Sequence, residues 1–187
     1  MQNNNLTILR KFVKEYGSIL GLCWVAVFAC YVAGFRTQNG IYMMLGLIGI
    51  PALLVIEILL AIRLKKRSVQ LELQLSPTIT WLNSLSMFMY ACLLSGCMEY
   101  IYFAYMDKGM LVDSIQSMIA APELKAIYLQ TGLTDYYHQI STLVEELHTL
   151  SAFDKTMILF NQNFLAALIL SIPVAVVTYF YKPATLK

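Results

Sequence analysis

A chain of 187 residues that is 59% hydrophobic and only 13% charged, with a mean hydropathy of +0.65, excludes an ordinary water-soluble domain, which carries about 25% charged residues. The formal net charge of +2 says little as a total; its distribution along the chain is informative, and no nucleic-acid partner is expected. A bilayer core about 30 Å thick takes roughly 20 apolar residues per helix, and four stretches qualify: 16–35, 41–64, 78–106 and 157–181. They predict an all-α membrane protein, one domain over 1–187, with four transmembrane helices, both termini cytoplasmic and a helical extracytoplasmic segment (107–156) between helices three and four.

In chain order, the first seven residues are polar and Asn-rich and are expected to be loose. Arg10, Lys11 and Lys14 then precede the first helix. The same pattern opens a signal peptide, whose apolar core is about 7–15 residues; this run continues through Cys30 to Phe35, so an uncleaved anchor is expected. Gly17 and Gly21 have GxxxG spacing, and Cys23, Ala26, Cys30 and Ala33 follow at steps of three and four. Small residues let helix backbones approach closely, and packing within the bundle is expected rather than dimerisation. The short link 36–40 forces helix two to run antiparallel beside helix one.

Helix two carries Gly46, Gly49 and Pro51, which predict a bend, then Glu57, and ends in the basic cluster Arg63, Lys65, Lys66 and Arg67. The positive-inside rule makes that end cytoplasmic. Together with Arg10, Lys11, Lys14, Lys182 and Lys187, nine of the thirteen basic residues fall on this side. The cluster also suits anionic lipid, although a topology role suffices. Next, Val69, Leu71, Leu73 and Leu75 alternate with Gln70, Glu72, Gln74 and Ser76. This is a strand pattern, expected either to lie extended in the headgroup layer or to add an edge to another protein's sheet, a candidate partner surface.

Helix three presents Ser84, Phe88, Ala91, Ser95, Glu99 and Tyr102 at helical spacing, a small-and-polar face expected to look inward. A mid-helix carboxylate costs about 2.5–3.5 kcal/mol on the insertion scale, which each apolar helix tolerates once. Ionisable groups at such depth are candidates for function by default. Matching depths pairs Glu57 with Asn83, and Glu99 with Asn161 or Asn163, and separates the two carboxyls by a helix turn or more. They are therefore not one acid/base pair. Interhelical hydrogen-bonded glue is the structural reading; a transport or proton site is the functional one.

Residues 107–155 hold seven acidic and three basic side chains. Met110, Leu111, Ile115, Met118 and Ile119 form one apolar face; Pro122 opens a second helix that Gly132 ends. Thr134 is expected to cap a third, carrying Tyr137, Ile140, Leu143, Val144 and Leu147. These pieces should cap the bundle or lie along the outer leaflet, and a partner surface is equally compatible. Asp135/His138 and Glu145/His148 have the spacing used in helical di-metal sites, but lie about 15 Å apart along one helix, so no metal site is expected. Helix four aligns Asn163, Ala167, Ser171, Val174 and Thr178, with Pro173 predicted to kink it. Tyr179, Tyr181 and Trp81 suit the inner aromatic belt, and Tyr42, Tyr100, Tyr102 and Tyr105 the outer. No nucleophile, phosphate-loop or metalloprotease motif is present, so neither catalytic residues nor cofactors are assigned. All four cysteines, Cys23, Cys30, Cys92 and Cys97, fall within the apolar helices as small packing residues.

Tyr16-Gly17 at the first helix, Tyr100-Ile101-Tyr102-Phe103 running to Asp107, the Gly132-Leu133-Thr134 helix start and a final helix ending in lysine resemble the bacterial domain of unknown function 4199 family. Where that pattern has a glycine early in helix three, this chain has Thr80-Trp81-Leu82-Asn83. The resemblance implies a multi-pass inner-membrane protein of Gram-negative bacteria, with partners in cell-envelope assembly. Three functions follow: a non-catalytic subunit or scaffold acting through other membrane proteins or a homo-oligomer, a small proton-coupled transporter using Glu57 and Glu99, and a lipid-modifying enzyme combining Glu99 with His138 or His148.

Overall fold

In the computed structural model, which describes residues 2–73 and 75–182 with side chains from residue 5 onward, seven α-helices follow one another. They are α1 (Gln2–Thr37), α2 (Gly40–Gln70), α3 (Pro77–Ile101), α4 (Met110–Ile119), α5 (Pro122–Gln130), α6 (Thr134–Thr149) and α7 (Ala152–Phe180); a π-helical turn, Tyr102–Met106, continues α3. Four stretches are long and apolar enough to cross a membrane: Asn5–Thr37, Gly40–Gln70, Pro77–Met106 and Ala152–Phe180. The chain is a multi-pass membrane protein. The first span departs most from expectation, because the polar leader is helical from Gln2 and continuous with the apolar run.

Helix boundaries follow local chemistry. The Ser76 hydroxyl accepts from the Ile79 N–H, and Pro77, whose missing N–H costs nothing at this position, begins α3. Ser151 and Asp154 form a reciprocal capping box on α7. Gly132 stops the chain between α5 and α6 with φ of 72°, a conformation open to glycine at no steric cost. Thr134, expected to cap α6, is instead its first residue, preceded by Leu133 without a side-chain cap. Pro51 and Pro173 both lie inside continuous helices.

The four long helices form a ring in which α1 touches α2, α2 touches α7, α7 touches α3 and α3 touches α1; α2 and α3, consecutive in sequence, lie across the diagonal. Glycines set the close approaches. A Cβ on Gly17 would lie 2.7 Å from Tyr90 Cβ and 2.8 Å from the Met87 carbonyl oxygen, and one on Gly21 would lie 3.1 Å from Ala91 Cα. The GxxxG face is therefore used within the chain, against α3. Gly46 and Gly49 serve α1 in the same way, receiving Tyr31 and Val27. Of the small stripe after them, Cys23, Cys30 and Ala33 are half-buried while Ala26 faces outward.

The inner faces match their spacing. Ser84, Phe88, Ala91, Ser95, Glu99 and Tyr102 of the third span are all buried, as are Ala167, Ser171, Val174 and Thr178 of α7. Leu22, Leu47, Ile48, Leu93, Leu165 and Ile169 project outward from the ring, an apolar periphery suited to acyl chains.

The strand reading of 69–76 is overturned. Val69 and Gln70 complete α2, Leu71 caps it, and Glu72 turns the chain with φ of 55°. Alternation arose because a helix end and a turn sent successive apolar residues inward: Leu73 and Leu75 pack on the bundle's own core, while Val69 stays exposed. Gln74, like Lys187, lies outside the described residues.

Candidate functional site

Buried polar groups gather at three levels of the third span. Near its start, the Ser84 hydroxyl donates to Glu57 Oε1 at 3.1 Å, which spans the diagonal from α3 to α2. Glu57 is wholly buried, and its Oε2 has no hydrogen-bond partner among the described residues. The expected partner, Asn83, is displaced by one position. Successive helical residues point about 100° apart, so with Ser84 aimed at the centre, Asn83 turns toward α1, where its Nδ2 is buried without a partner among the described residues. Alongside, the Trp81 indole donates to Ser171 Oγ at 3.0 Å, which ties α3 to α7.

Toward the far end of the same helix, Asn163 Nδ2 donates to Glu99 Oε1 at 3.3 Å. This is the expected pairing; Asn161, the other choice, is exposed. Glu99 is buried, and its Oε2 lacks a partner among the described residues. From Ser84 to Glu99 the rise along α3 is about 22 Å at 1.5 Å per residue. Each carboxyl thus joins two helices separately, and no proton passes directly between them.

The third level was missed by sequence reasoning. Asp107 is only 1% exposed, although it opens the polar segment. The π-helical turn bonds the Asp107 N–H to the Tyr102 carbonyl at 2.9 Å. The wider turn stacks the two residues, and the Tyr102 hydroxyl donates back to Asp107 Oδ1 at 2.9 Å. Oδ1 also accepts from the Leu111 N–H at 2.9 Å and Oδ2 from the Gly109 N–H at 3.2 Å. Asp107 thereby locks the start of α4 to the third span, an N-terminal anion-to-amide arrangement that the helix dipole favours. Tyr102, expected both on the inward face and in the outer belt, is an interior residue. The available signal was the aspartate directly after an apolar run and before Gly109, whose φ is 86°.

Members of the basic cluster are engaged within the bundle. Lys65 Nζ donates to the Thr178 carbonyl at 2.8 Å and also to that of Tyr179, and sits over the Tyr179 ring. Lys66 lies over Tyr181 and Arg67 over Phe12, each between 5 and 6 Å from the ring centroid. Asn5 Nδ2 donates to the Leu71 carbonyl at 3.0 Å. The start of α1, the end of α2 with Arg63, and the end of α7 therefore share one end of the ring.

At the opposite end α4, α5 and α6 project from the spans. His148 Nε2 lies 2.9 Å from Gln116 Oε1 and 3.7 Å from Asp113, joining α6 to α4; His138 lies edge-on to Tyr137. No group of three metal-ligating side chains occurs among the described residues. Only Val112 and Val144 of these three helices are buried, whereas Ile127, Leu129, Leu133, Tyr136 and Leu143 are all at least half exposed.

A family model described as protein of unknown function (DUF4199) matches residues 15–178. No curated protein and no solved structure matches the chain.

Proposed function

Because the chain belongs to the DUF4199 family of proteins of unknown function, we propose, from its geometry, that it is a non-catalytic multi-pass subunit or scaffold of the bacterial inner membrane. The basic end, with both termini, is cytoplasmic by the positive-inside rule, and α4–α6 form an extracytoplasmic docking segment that serves cell-envelope assembly. One observation carries this reading: a ring closed around its carboxyls bears an outlying helical segment whose apolar side chains, Ile127, Leu129, Leu133, Tyr136 and Leu143, are left uncovered. Large apolar side chains left exposed beyond the spans suit a protein or membrane interface. The experiment is photo-crosslinking in intact cells from Leu129, Tyr136 and Leu143. Discrete protein adducts support the reading, and adducts to lipid alone overturn it.

The second reading, a small proton-coupled transporter, rests on the unpartnered Oε2 atoms of Glu57 and Glu99. Proton uptake into vesicles that persists in wild type and is lost in E57Q or E99Q would favour it over the scaffold. A lipid-modifying enzyme using Glu99 with His138 or His148 has the least support, since Glu99 is enclosed between α3 and α7 whereas both histidines are exposed on α6.

A further inference from the structure

We propose that the groove between the first turns of α1 and α3 is a binding site for an anionic phospholipid, with the phosphate held by Arg10 and Lys14 and the acyl chains running past Tyr90 toward the bilayer core. The groove encloses about 490 Å³, within the roughly 300–1,000 Å³ of ordinary ligand sites.

Its register follows from the packing. The two helices run parallel, since each crosses from the basic end, and Gly17 abuts Met87 and Tyr90 while Gly21 abuts Ala91 and Leu94. Stepping back along both helices sets Arg10 level with Asn83 and Lys14 level with Ser86. Arg10 and Lys14 are one turn apart, hence on one face of α1. Both line the groove, as do Asn83 and Ser86 on the α3 side. Two cations, a hydroxyl and an amide therefore line one side of the groove, with Tyr90 on their membrane side and the uninterrupted apolar run beginning just beyond.

Three features point to this occupant. Arg10 and Lys14 are exposed, and neither enters an ion pair or side-chain hydrogen bond among the described residues, whereas Lys65, Lys66 and Arg67 at the same end are all engaged. The groove faces away from the ring centre, because Leu6, Ile79 and Leu82 are exposed while the inward Ser84 and Phe88 are not; it thus opens to lipid. Asn83 Nδ2 is a buried donor without a partner among the described residues, an uncommon condition. The site is independent of the docking role of α4–α6.

The test uses the full-length protein in nanodiscs of phosphatidylcholine doped with phosphatidylglycerol carrying a photoreactive acyl chain. Mass spectrometry of the peptides is expected to place adducts in α1 and α3 on the membrane side of Lys14 and Ser86. Each basic contact near an anionic surface is worth about fivefold in binding, so R10Q/K14Q should weaken labelling by roughly 20-fold or more, while R10K/K14R retains it and shows that the charge matters rather than the fold. Equal labelling by photoreactive phosphatidylcholine, or labelling unchanged in R10Q/K14Q, overturns the proposal. So does displacement of the lipid by inorganic phosphate at equal concentration, which would mark a free-anion pocket.

Discussion

Ser84 reaches Glu57 across the diagonal of the ring, a 3.1 Å hydrogen bond between two helices, α2 and α3, that otherwise barely touch. In a ring closed by contacts between neighbours, a polar tie through the centre fixes the relative rotation of both helices. Turning either by one residue, about 100°, breaks it and brings a carboxyl toward hydrocarbon. The Glu99–Asn163 bond does the same for the neighbouring pair α3 and α7. Together they hold the register of three of the four spans, which is how two costly side chains are compatible with a stable bundle.

Gly17→Ala should separate α1 from α3, because the added Cβ meets both the Tyr90 Cβ and the Met87 carbonyl inside 3.0 Å. Overpacking of this kind costs about 1–3 kcal/mol. Gly40→Ala, with nothing within 4 Å of the new Cβ, should be neutral. Thermal unfolding of both variants in mild detergent provides the comparison.

Tyr102→Phe removes one donor from a buried carboxylate that keeps two backbone N–H donors. The expected loss is about 0.5–1.5 kcal/mol. Asp107→Ala removes all three bonds and should expose the first turn of α4. Hydrogen exchange at residues 109–113 reads this directly, with fast exchange expected in Asp107→Ala and near-native protection in Tyr102→Phe.

Lys65→Gln should fray the end of α7, since Lys65 bonds the terminal carbonyls of Thr178 and Tyr179. Charges near a helix C-terminus contribute about 0.3–1 kcal/mol. Faster exchange confined to residues 176–182, with the melting temperature nearly unchanged, is the expected result.

The sequence carried the spans and the inner faces well. Period and polarity set them, as the buried run from Ser84 to Tyr102 and the Gly17/Gly21 approach show. The breaks at Pro122 and Gly132 were legible because those residues restrict the backbone. Side-chain partners were less so. A depth estimate locates a residue to about a turn and says nothing of rotation, so it named Asn83 where Ser84 makes the bond to Glu57. Two local patterns also misled. Alternation at 69–76 came from a helix end followed by a turn, and Asp107 looked like solvent-exposed sequence because the π-helical turn that buries it depends on tertiary packing.

The most direct measurement of the carboxyl groups' role as interhelical ties is a double-mutant cycle on Glu57→Leu and Ser84→Ala, followed by unfolding in bicelles. Hydrogen bonds between membrane helices average about 0.6 kcal/mol and reach about 1.7; a favourable coupling in that range is expected, with the single variants each less stable than wild type. Coupling indistinguishable from zero, or a Glu57→Leu variant more stable than wild type, would contradict it.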